Sequence, residues 1–190
     1  MRNDYTERMA EQRYFKAFRV RPKWTPRQAD VEGFIHDECV RQGWNPKTED
    51  GKRRIRYMTK AWEYAIERSA RSFRPDLDDL LHIAYLIEPG ENSRGYRRIP
   101  IAVGGETKAD WRDIPRMVSS LWSVIMDVEP TIGRSTPSEP LTADDFYVEF
   151  ENIHPFGDGN GRTGKILHNW ILGTLRDPVL VRDYFKGGTP

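Results

Sequence analysis

The chain has 190 residues, enough for one domain with a hydrophobic core and too few for two of ordinary size. Hydrophobic residues make up 37% of the chain, which excludes global disorder. Its 30 basic and 29 acidic side chains leave a formal charge of +1, so no long-range field draws the molecule to nucleic acid or to anionic lipid.

Apolar residues recur at helical spacing through most of the chain, which predicts an all-α fold. In the N-terminal region, residues 1–74, a first helix is predicted to begin at Thr25 and to stop at Gly43. A second, longer helix follows and should end before Pro75. We expect this region to pack on the rest of the chain within a single globular unit.

The second helix is locally basic, and its basic residues include Lys52, Arg53, Arg54, Arg56 and Lys60. No aromatic residues are interleaved on its polar side, as they would be in a surface that stacks on bases. A face that is solvated or paired with acids is therefore favoured over a nucleic-acid patch. We do not expect nucleic acid as a partner.

The pattern changes in the middle of the chain. A third helix is predicted after Asp76, because acidic residues are favoured at a helix N-terminus. Between residues 95 and 105 the spacing becomes two: Ile99, Ile101 and Val103 alternate with other residues, and glycines bracket the run. These features predict a short, exposed β-hairpin flap.

Helical spacing then returns, from Ile114 to Met126, before a Pro/Ser/Thr-rich loop at residues 130–140. Thr142 followed by Asp145 resembles a capping box, so another helix should begin there. Alternation of apolar residues would also allow a strand in this segment, but the cap favours the helix.

A glycine-rich loop, His154 to Lys165 with the sequence HPFGDGNGRTGK, carries the chemistry. Gly157, Gly159 and Gly161 leave the backbone free to adopt positive φ and to point several N–H groups at one place. The loop lies directly ahead of a helix predicted from Arg162 to about Thr174. Such a nest at a helix N-terminus binds phosphate or pyrophosphate.

The charged residues of this loop suit phosphoryl or nucleotidyl transfer. Arg162 and Lys165 bring two cations to the same place. A carboxylate at Asp158 would be repelled by phosphates unless a divalent cation lay between them, and Mg²⁺ meets that need. His154 ends the preceding helix and is of a type that accepts a proton near neutral pH, which suggests a hydroxyl nucleophile attacking phosphorus.

Two other phosphate-binding patterns overlap the loop, and both are rejected. Gly159 to Gly164 matches G-x-G-x-x-G, and Gly159 to Lys165 matches the P-loop up to its last position. Ile166 stands at that position, where a P-loop needs a hydroxyl. No parallel strands precede the loop, and too little chain follows it for the βα units that either fold requires.

Residues 154–165 closely resemble the signature of the Fic domain, H-[PFx]-x-x-[DE]-G-N-G-R-x-x-R. This resemblance implies an all-α, Fic-type helical bundle with a short β-hairpin flap. It implies a Fic core over residues 75–178, with the flap at 95–105 and the active-site loop at 154–165, followed by a C-terminal helix or tail over 179–190. Most known members transfer AMP from ATP to Ser, Thr or Tyr of a target protein.

The resemblance also implies roles for individual residues. His154 would deprotonate the target hydroxyl, Asp158 would hold Mg²⁺ between the α- and β-phosphates of ATP, and Phe156 would anchor the loop in the core. The residues implied to bind the phosphates are Gly157, Gly159, Asn160, Gly161, Arg162 and Lys165. The flap would hold the target by strand addition; its target-docking residues are Arg98, Ile99, Ile101 and Val103.

One position departs from the signature. Lys165 stands where the family usually has a second arginine, and lysine keeps the charge but lacks the bidentate fork. Many Fic domains are restrained by a helix of pattern [ST]-x-x-x-E-[GN], whose glutamate pairs with that arginine. Glu91 has Ile87 at the hydroxyl position and Glu32 has Gln28, so neither fits. The restraint would therefore come from a separate inhibitory protein, or there is none.

The leading hypothesis is an Mg²⁺-dependent protein adenylyltransferase that uses ATP, modifies a hydroxyl of a target protein and releases pyrophosphate. Two alternatives stay open: a Fic relative that transfers another nucleotide or phosphate or removes AMP, and a catalytically idle module that binds nucleotide and protein. The polar N-terminus and the lack of an apolar run of about eighteen residues lead us to expect a soluble protein without a membrane partner. We expect it in the cytoplasm, or delivered into a host cytoplasm.

Overall fold

The computed structural model of the chain describes residues 28–72, 74–126 and 142–181. These residues form seven helices and one antiparallel sheet of two strands, which confirms the predicted helical bundle with a β-hairpin. The elements are α1 Gln28–Arg41, α2 Glu49–Ser69, α3 Leu77–Ile87, α4 Pro89–Asn92, β1 Ala102–Val103, β2 Glu106–Thr107, α5 Ile114–Met126, α6 Ala143–Ile153 and α7 Asn160–Leu172. None of the helices in this part of the chain is long and apolar enough to cross a membrane.

Side chains at the helix ends fix where several helices begin. Helix α2 starts after Thr48, whose hydroxyl caps the first turn, so this helix begins earlier than its apolar pattern indicates. Helices α3 and α6 each begin with a capping box, formed by Asp76 with Asp79 and by Thr142 with Asp145. The cap at Thr142 confirms that the segment after it is helical. The predicted start of α1 at Thr25, the loop at 130–140 and residues 182–190 of the tail lie outside the described residues; residues 179–181 form no helix.

The hydrophobic core lies among α2, α3, α5, α6 and α7. Helix α2 packs on α1, α3 and α7, and α6 packs on α5 and α7. The indole N–H of the buried Trp62 donates to the carbonyl oxygen of Leu175 at 2.7 Å, which ties α2 to the chain after α7. Helices α1 and α2 therefore belong to the same packed body as α7; the largest fully buried side chains include Trp62, Phe146, Phe150, Phe156 and Trp170.

The flap is a small hairpin whose turn is made by glycines. Strands β1 and β2 pair antiparallel around Gly104 and Gly105, which have φ of +60° and +86°. The hairpin reaches Thr107, two residues beyond the predicted limit of 105. Ile99 and Val103 are exposed. An exposed strand edge with apolar side chains is available for pairing with another chain.

A buried arginine joins the flap to the active-site loop. The Arg97 side chain donates to the carbonyl oxygen of His154 at 2.8 Å, and to the carbonyl oxygens of Ile99 and Ala109 at 2.7 Å each. Its backbone N–H donates to the carbonyl oxygen of Pro155 at 2.9 Å. Burial lowers the pKa of this guanidinium, yet arginine stays protonated at any ordinary pH. One side chain thus connects both ends of the flap to His154.

Candidate active site

The loop between α6 and α7 depends on one glycine. Gly159 has φ of +79° and caps α7, and a Cβ at this position would lie 2.5 Å from Cγ2 of Ile87, so a larger residue does not fit. Gly157 and Gly161 do not have positive φ, contrary to the expectation that all three glycines use this freedom. The reason at Gly161 is that α7 already begins at Asn160, so Gly161 has helical geometry.

Asn160 differs from the role that the resemblance implies for it. Its buried side chain donates to the carbonyl oxygen of Phe156 and accepts from the N–H of the same residue, both at 2.9 Å. Because both ends of the amide are used inside the loop, the side chain braces the loop and is not directed at a phosphate. Phe156 is fully buried, with its ring 5.7 Å from that of Tyr96 and 6.4 Å from that of Phe150, as an anchoring role requires.

His154 caps α6 in a left-handed conformation, with φ of 50° and ψ of 64°. Such a backbone is uncommon for a residue other than glycine and must be held by its surroundings. Here the N–H of His154 donates to the carbonyl oxygen of Phe150 at 2.9 Å, while Arg97 binds its carbonyl oxygen. Nδ1 of His154 lies 3.4 Å from Oε2 of Glu151. A proton on Nδ1 facing this carboxylate leaves the Nε2 lone pair to accept a proton.

The side chain of Arg162 is buried and is not exposed beside the glycine-rich loop. Its side chain is 1% exposed, and Nη2 donates to Oε1 of Glu88 at 2.7 Å. The same Glu88 oxygen accepts from Nη1 of Arg54 at 2.7 Å. The ring of Trp44 lies 4.2 Å from Cζ of Arg54 and 4.5 Å from Cζ of Arg162. Two guanidinium groups, one carboxylate and one indole therefore meet at the start of α7.

Lys165 is also paired within the chain. Its ammonium contacts Oε1 of Glu38, a fully buried residue of α1. The Glu38 oxygen also accepts from Nε2 of Gln42 at 2.8 Å. Glu38 lies outside the inhibitory pattern, since Phe34 occupies the hydroxyl position. A glutamate of this chain nevertheless contacts the position where the resemblance implies a second arginine.

Asp158 is the most open charged group of the loop. Its side chain is 46% exposed, and its Oδ1 accepts from the N–H of Gly159 at 2.6 Å. Nη1 of Arg54 lies 3.5 Å from Oδ2, and Nη2 of Arg162 lies 3.5 Å from Oδ1. No group of three or more His, Cys, Asp or Glu residues suited to a metal occurs in the described ranges. The residues present fit Mg²⁺ shared with a nucleotide, because this ion is commonly held by one or two carboxylates together with substrate phosphates.

The predicted flap residues lie along the exposed part of the hairpin region. Arg98, Ile99 and Val103 are exposed and Ile101 is half-buried. Arg97, next to them in the chain, binds the carbonyl oxygen of His154. Target docking by this edge remains a prediction.

Four residues near the loop have no signal in the local sequence: Glu38, Trp44, Arg54 and Glu88. Arg54 is one of several basic residues of α2, and nothing in the pattern separates it from Arg53. Glu88 follows the apolar stripe of α3 and looks like an ordinary helix end. Only the packing of α2 and α3 against α7, and of α1 against α2, brings these side chains to the loop.

The fold and the site together define a class: helical domains in which a β-hairpin lies beside a histidine and a glycine-rich loop at the start of a helix. The family Fic/DOC matches residues 75–172, which is more than half of the chain. The chain belongs to the Fic/DOC family.

Two solved structures share the fold. A Fic family protein from Desulfovibrio desulfuricans G20 is 21% identical with a TM-score of 0.50, over 75% of this chain and 45% of that chain. A fragment of Fic-1 from C. elegans is 15% identical with a TM-score of 0.58, over 91% of this chain and 58% of that chain. The matches thus span about half the length of these structures, and at such identities they show the fold alone.

A curated protein, the ribonucleoside-diphosphate reductase small chain of Ostreid herpesvirus 1 (isolate France), is 25% identical over 104 residues. That match covers 51% of this chain and 18% of the viral protein. It is too short and too distant to bear on activity.

Proposed function

We propose that this chain is an Mg²⁺-dependent protein adenylyltransferase, which transfers AMP from ATP to a hydroxyl of a target protein and releases pyrophosphate. The observation that supports it most is the arrangement around one short loop. His154 lies at the beginning of the loop, and Asp158, Arg162 and Lys165 lie where α7 starts. Membership of the Fic/DOC family supports a Fic-type enzyme, and AMP transfer is the common activity of such enzymes.

In the proposed reaction His154 accepts the proton of the target hydroxyl while the hydroxyl oxygen attacks the α-phosphorus. A bond forms between that oxygen and phosphorus, and the bond from the α-phosphorus to the oxygen bridging the β-phosphate breaks. The departing pyrophosphate takes the bond's electrons, and Arg162 stabilises its charge. Mg²⁺ held by Asp158 would neutralise further charge on the phosphates. The flap edge would place the target segment beside His154.

A nucleotide must compete with carboxylates of this chain. Arg162 is paired with Glu88 and Lys165 with Glu38, and both cations are buried. A polyphosphate carries more negative charge than a single carboxylate and can replace one where the surrounding elements allow it. A restraint within the chain is therefore available through Glu38, in addition to the separate inhibitory protein that the sequence pattern suggests.

The test is transfer of label from ATP. The protein and its Glu38→Gln variant are incubated with cell lysate and with ATP labelled on the α- or the γ-phosphate, beside His154→Ala as control. Transfer of the α-label alone, lost in His154→Ala, is the expected result. Transfer of the γ-label alone would establish phosphorylation instead. If neither the unaltered chain nor Glu38→Gln transfers either label, ATP-dependent transfer is contradicted. The chain would then be a catalytically idle module, or it would use another donor.

A second candidate is a Fic relative that uses a different nucleotide, because no residue that would select the base has been assigned. Lys165 lacks the fork of the usual arginine, so its contact with the terminal phosphates is less strictly oriented. The same labelling series with GTP, CTP and UTP separates the candidates. If the chain prefers GTP, CTP or UTP to ATP as the donor, the proposed activity becomes transfer of the corresponding nucleoside monophosphate.

A further inference from the structure

Arg54 and Arg162 bind one carboxylate oxygen between them, at a position that the family signature does not include. Arg54 lies on α2 and Arg162 on α7, yet both donate to the same oxygen, Oε1 of Glu88, at 2.7 Å. Two guanidinium groups this close repel each other unless negative charge lies between them. The position of the Glu88 oxygen is therefore one at which an anionic oxygen is strongly favoured.

The surroundings strengthen that preference. The Trp44 ring lies against both guanidinium groups and shields them from solvent, which favours cations through its π face. Nε and Nη1 of the buried Arg162 have no hydrogen-bond partner among the described residues. A buried guanidinium with unused donors can bind more of an anion than one carboxylate oxygen supplies.

Arg54 is directed at the site, whereas its neighbour Arg53 is not. Both pair with Asp50 on the same helix, through Nη2 of Arg53 and through Nε of Arg54 at 3.0 Å. The side chain of Arg53 is 46% exposed, while that of Arg54 is 16% exposed and extends to Glu88 and to Asp158. The Asp50 contact fixes the Arg54 side chain and leaves Nη1 for the site.

We infer that Arg54 is a phosphate-binding residue: with Arg162 it forms a two-guanidinium position for a non-bridging oxygen of a nucleotide's β- or γ-phosphate, which Glu88 fills in the described conformation. This inference rests on the proposed nucleotide-dependent function. Guanidinium binds phosphate oxygens through the same geometry as carboxylate oxygens. Arg54 thereby supplies the fork that is missing at Lys165.

Glu88 acts in this arrangement as a competitor of the phosphate. If it instead served only to orient Arg162, its removal would weaken nucleotide binding. If it competes, Glu88→Gln strengthens binding, because the neutral amide no longer satisfies two cations. The variants at Arg54 and Glu88 must therefore change affinity in opposite directions.

The experiment is isothermal titration of the full chain with Mg·ATP, Mg·ADP, AMP and Mg·pyrophosphate. Arg54→Gln is expected to weaken ATP binding by about 10- to 100-fold, as for loss of a charged hydrogen bond, and to leave AMP unchanged. ADP binding should weaken equally if Arg54 binds the β-phosphate, and should not change if Arg54 binds the γ-phosphate. Arg53→Gln, the matched control, leaves all four unchanged. Glu88→Gln tightens ATP. If Arg54→Gln weakens the binding of ATP and ADP but not that of pyrophosphate, Arg54 binds a phosphate of the intact nucleotide. If it weakens pyrophosphate binding equally, Arg54 binds any polyphosphate.

Arg54→Lys and thermal unfolding of each variant separate binding from folding. Arg54→Lys keeps the charge and loses the fork, so its affinity for ATP should lie between those of the unaltered chain and Arg54→Gln. Unchanged ATP affinity in a folded Arg54→Gln, an equal loss for AMP, or weaker ATP binding in Glu88→Gln would overturn this inference while leaving the proposed function intact. If neither the unaltered chain nor Glu38→Gln binds any of the four ligands, both proposals fall.

Discussion

At the scale of single residues, the carboxylate of Glu151 accompanies His154. Nδ1 of His154 and Oε2 of Glu151 are 3.4 Å apart, and both side chains are largely buried. A negative group at this place favours a proton on Nδ1, which keeps Nε2 as the proton acceptor. The 3.4 Å separation is an ion-pair approach and not a hydrogen bond. We therefore expect Glu151 to orient the proposed base through its charge.

Replacing Glu151 by glutamine tests this relation. Glu151→Gln keeps the size of the side chain and removes its charge, so we expect the turnover rate of AMP transfer to fall on the order of tenfold, as for other residues that orient a reacting ligand. The KM for ATP should change little, because Glu151 pairs with neither Arg162 nor Lys165 in the described structure. Steady-state kinetics measures both quantities.

The control is Glu149→Gln, since Glu149 is an exposed residue of the same helix. Nitrogen NMR of labelled histidine reports the tautomer of His154 directly. Wild-type turnover in Glu151→Gln, with the tautomer unchanged, would contradict a positioning role.

Gly159 has a backbone conformation that a larger residue in this loop could not adopt without strain. Its φ is +79° and an added Cβ would lie 2.5 Å from Cγ2 of Ile87, so Gly159→Ala combines backbone strain with a steric clash. We expect the free energy of unfolding to fall by about 1–3 kcal/mol, measured by chemical denaturation. Gly157→Ala is the control, because its Cβ would meet no atom closer than 3.5 Å. Equal stability of the two variants would show that the loop relaxes freely.

At the scale of elements, α1 contributes Glu38, which contacts Lys165 of α7. Glu38→Gln frees the ammonium of Lys165 from a buried charge pair, so we expect AMP transfer to increase roughly tenfold, the equivalent of about 1.4 kcal/mol of competing interaction. Labelling with α-labelled ATP measures the change. Asp37→Asn is a matched control, because Asp37 is the exposed neighbour of Glu38 and its ion pair within the described residues is with His36. Lower transfer in a folded Glu38→Gln would mean that Glu38 supports Lys165 and does not restrain it.

Helices α6 and α7 are joined by a buried histidine, which predicts a pH dependence of stability. Nε2 of His168 lies 2.7 Å from Oδ1 of Asp144, and burial lowers the pKa of His168 below its ordinary 6.5 despite this partner. Between the folded and unfolded pKa values the unfolded chain binds more protons, so stability is greatest above about pH 6.5 and is lost as the pH falls through the folded pKa. Denaturation at pH 7.5 and at successively lower pH measures this loss. His168→Gln should remove this contribution to the pH dependence of the free energy of unfolding. If the pH dependence is the same in His168→Gln, other groups cause it.

At the scale of the whole molecule, the sequence predicts what local patterns determine. The helices, the capping box at Thr142, the flap and the glycine loop follow from residues a few positions apart. Asn160 shows the limit of a motif, because its position in the signature does not reveal that its amide is used inside the loop. The signature identifies the loop and leaves the direction of each side chain open.

The ion pairs around the site join residues that are far apart in the sequence. Glu88 and Arg162 are 74 positions apart and Glu38 and Lys165 are 127 apart, so no local pattern can indicate them. They follow from the packing of α2 and α3 on α7 and of α1 on α2. Glu38 lies outside residues 75–172, which match the family, whereas Glu88 lies within them but outside the signature loop. The proposed phosphate site therefore combines residues of the signature loop with Glu38, Arg54 and Glu88, which the signature does not include.

We propose that His154 and the cations of one loop transfer AMP to a hydroxyl, and mass spectrometry tests this. Proteins from a lysate are analysed after incubation with Mg·ATP and the Glu38→Gln chain. We expect a serine, threonine or tyrosine that carries the mass of one AMP, and we expect it to stay unmodified with the double variant Glu38→Gln, His154→Ala. A modification that persists without His154, or one with the mass of a phosphate alone, would contradict it.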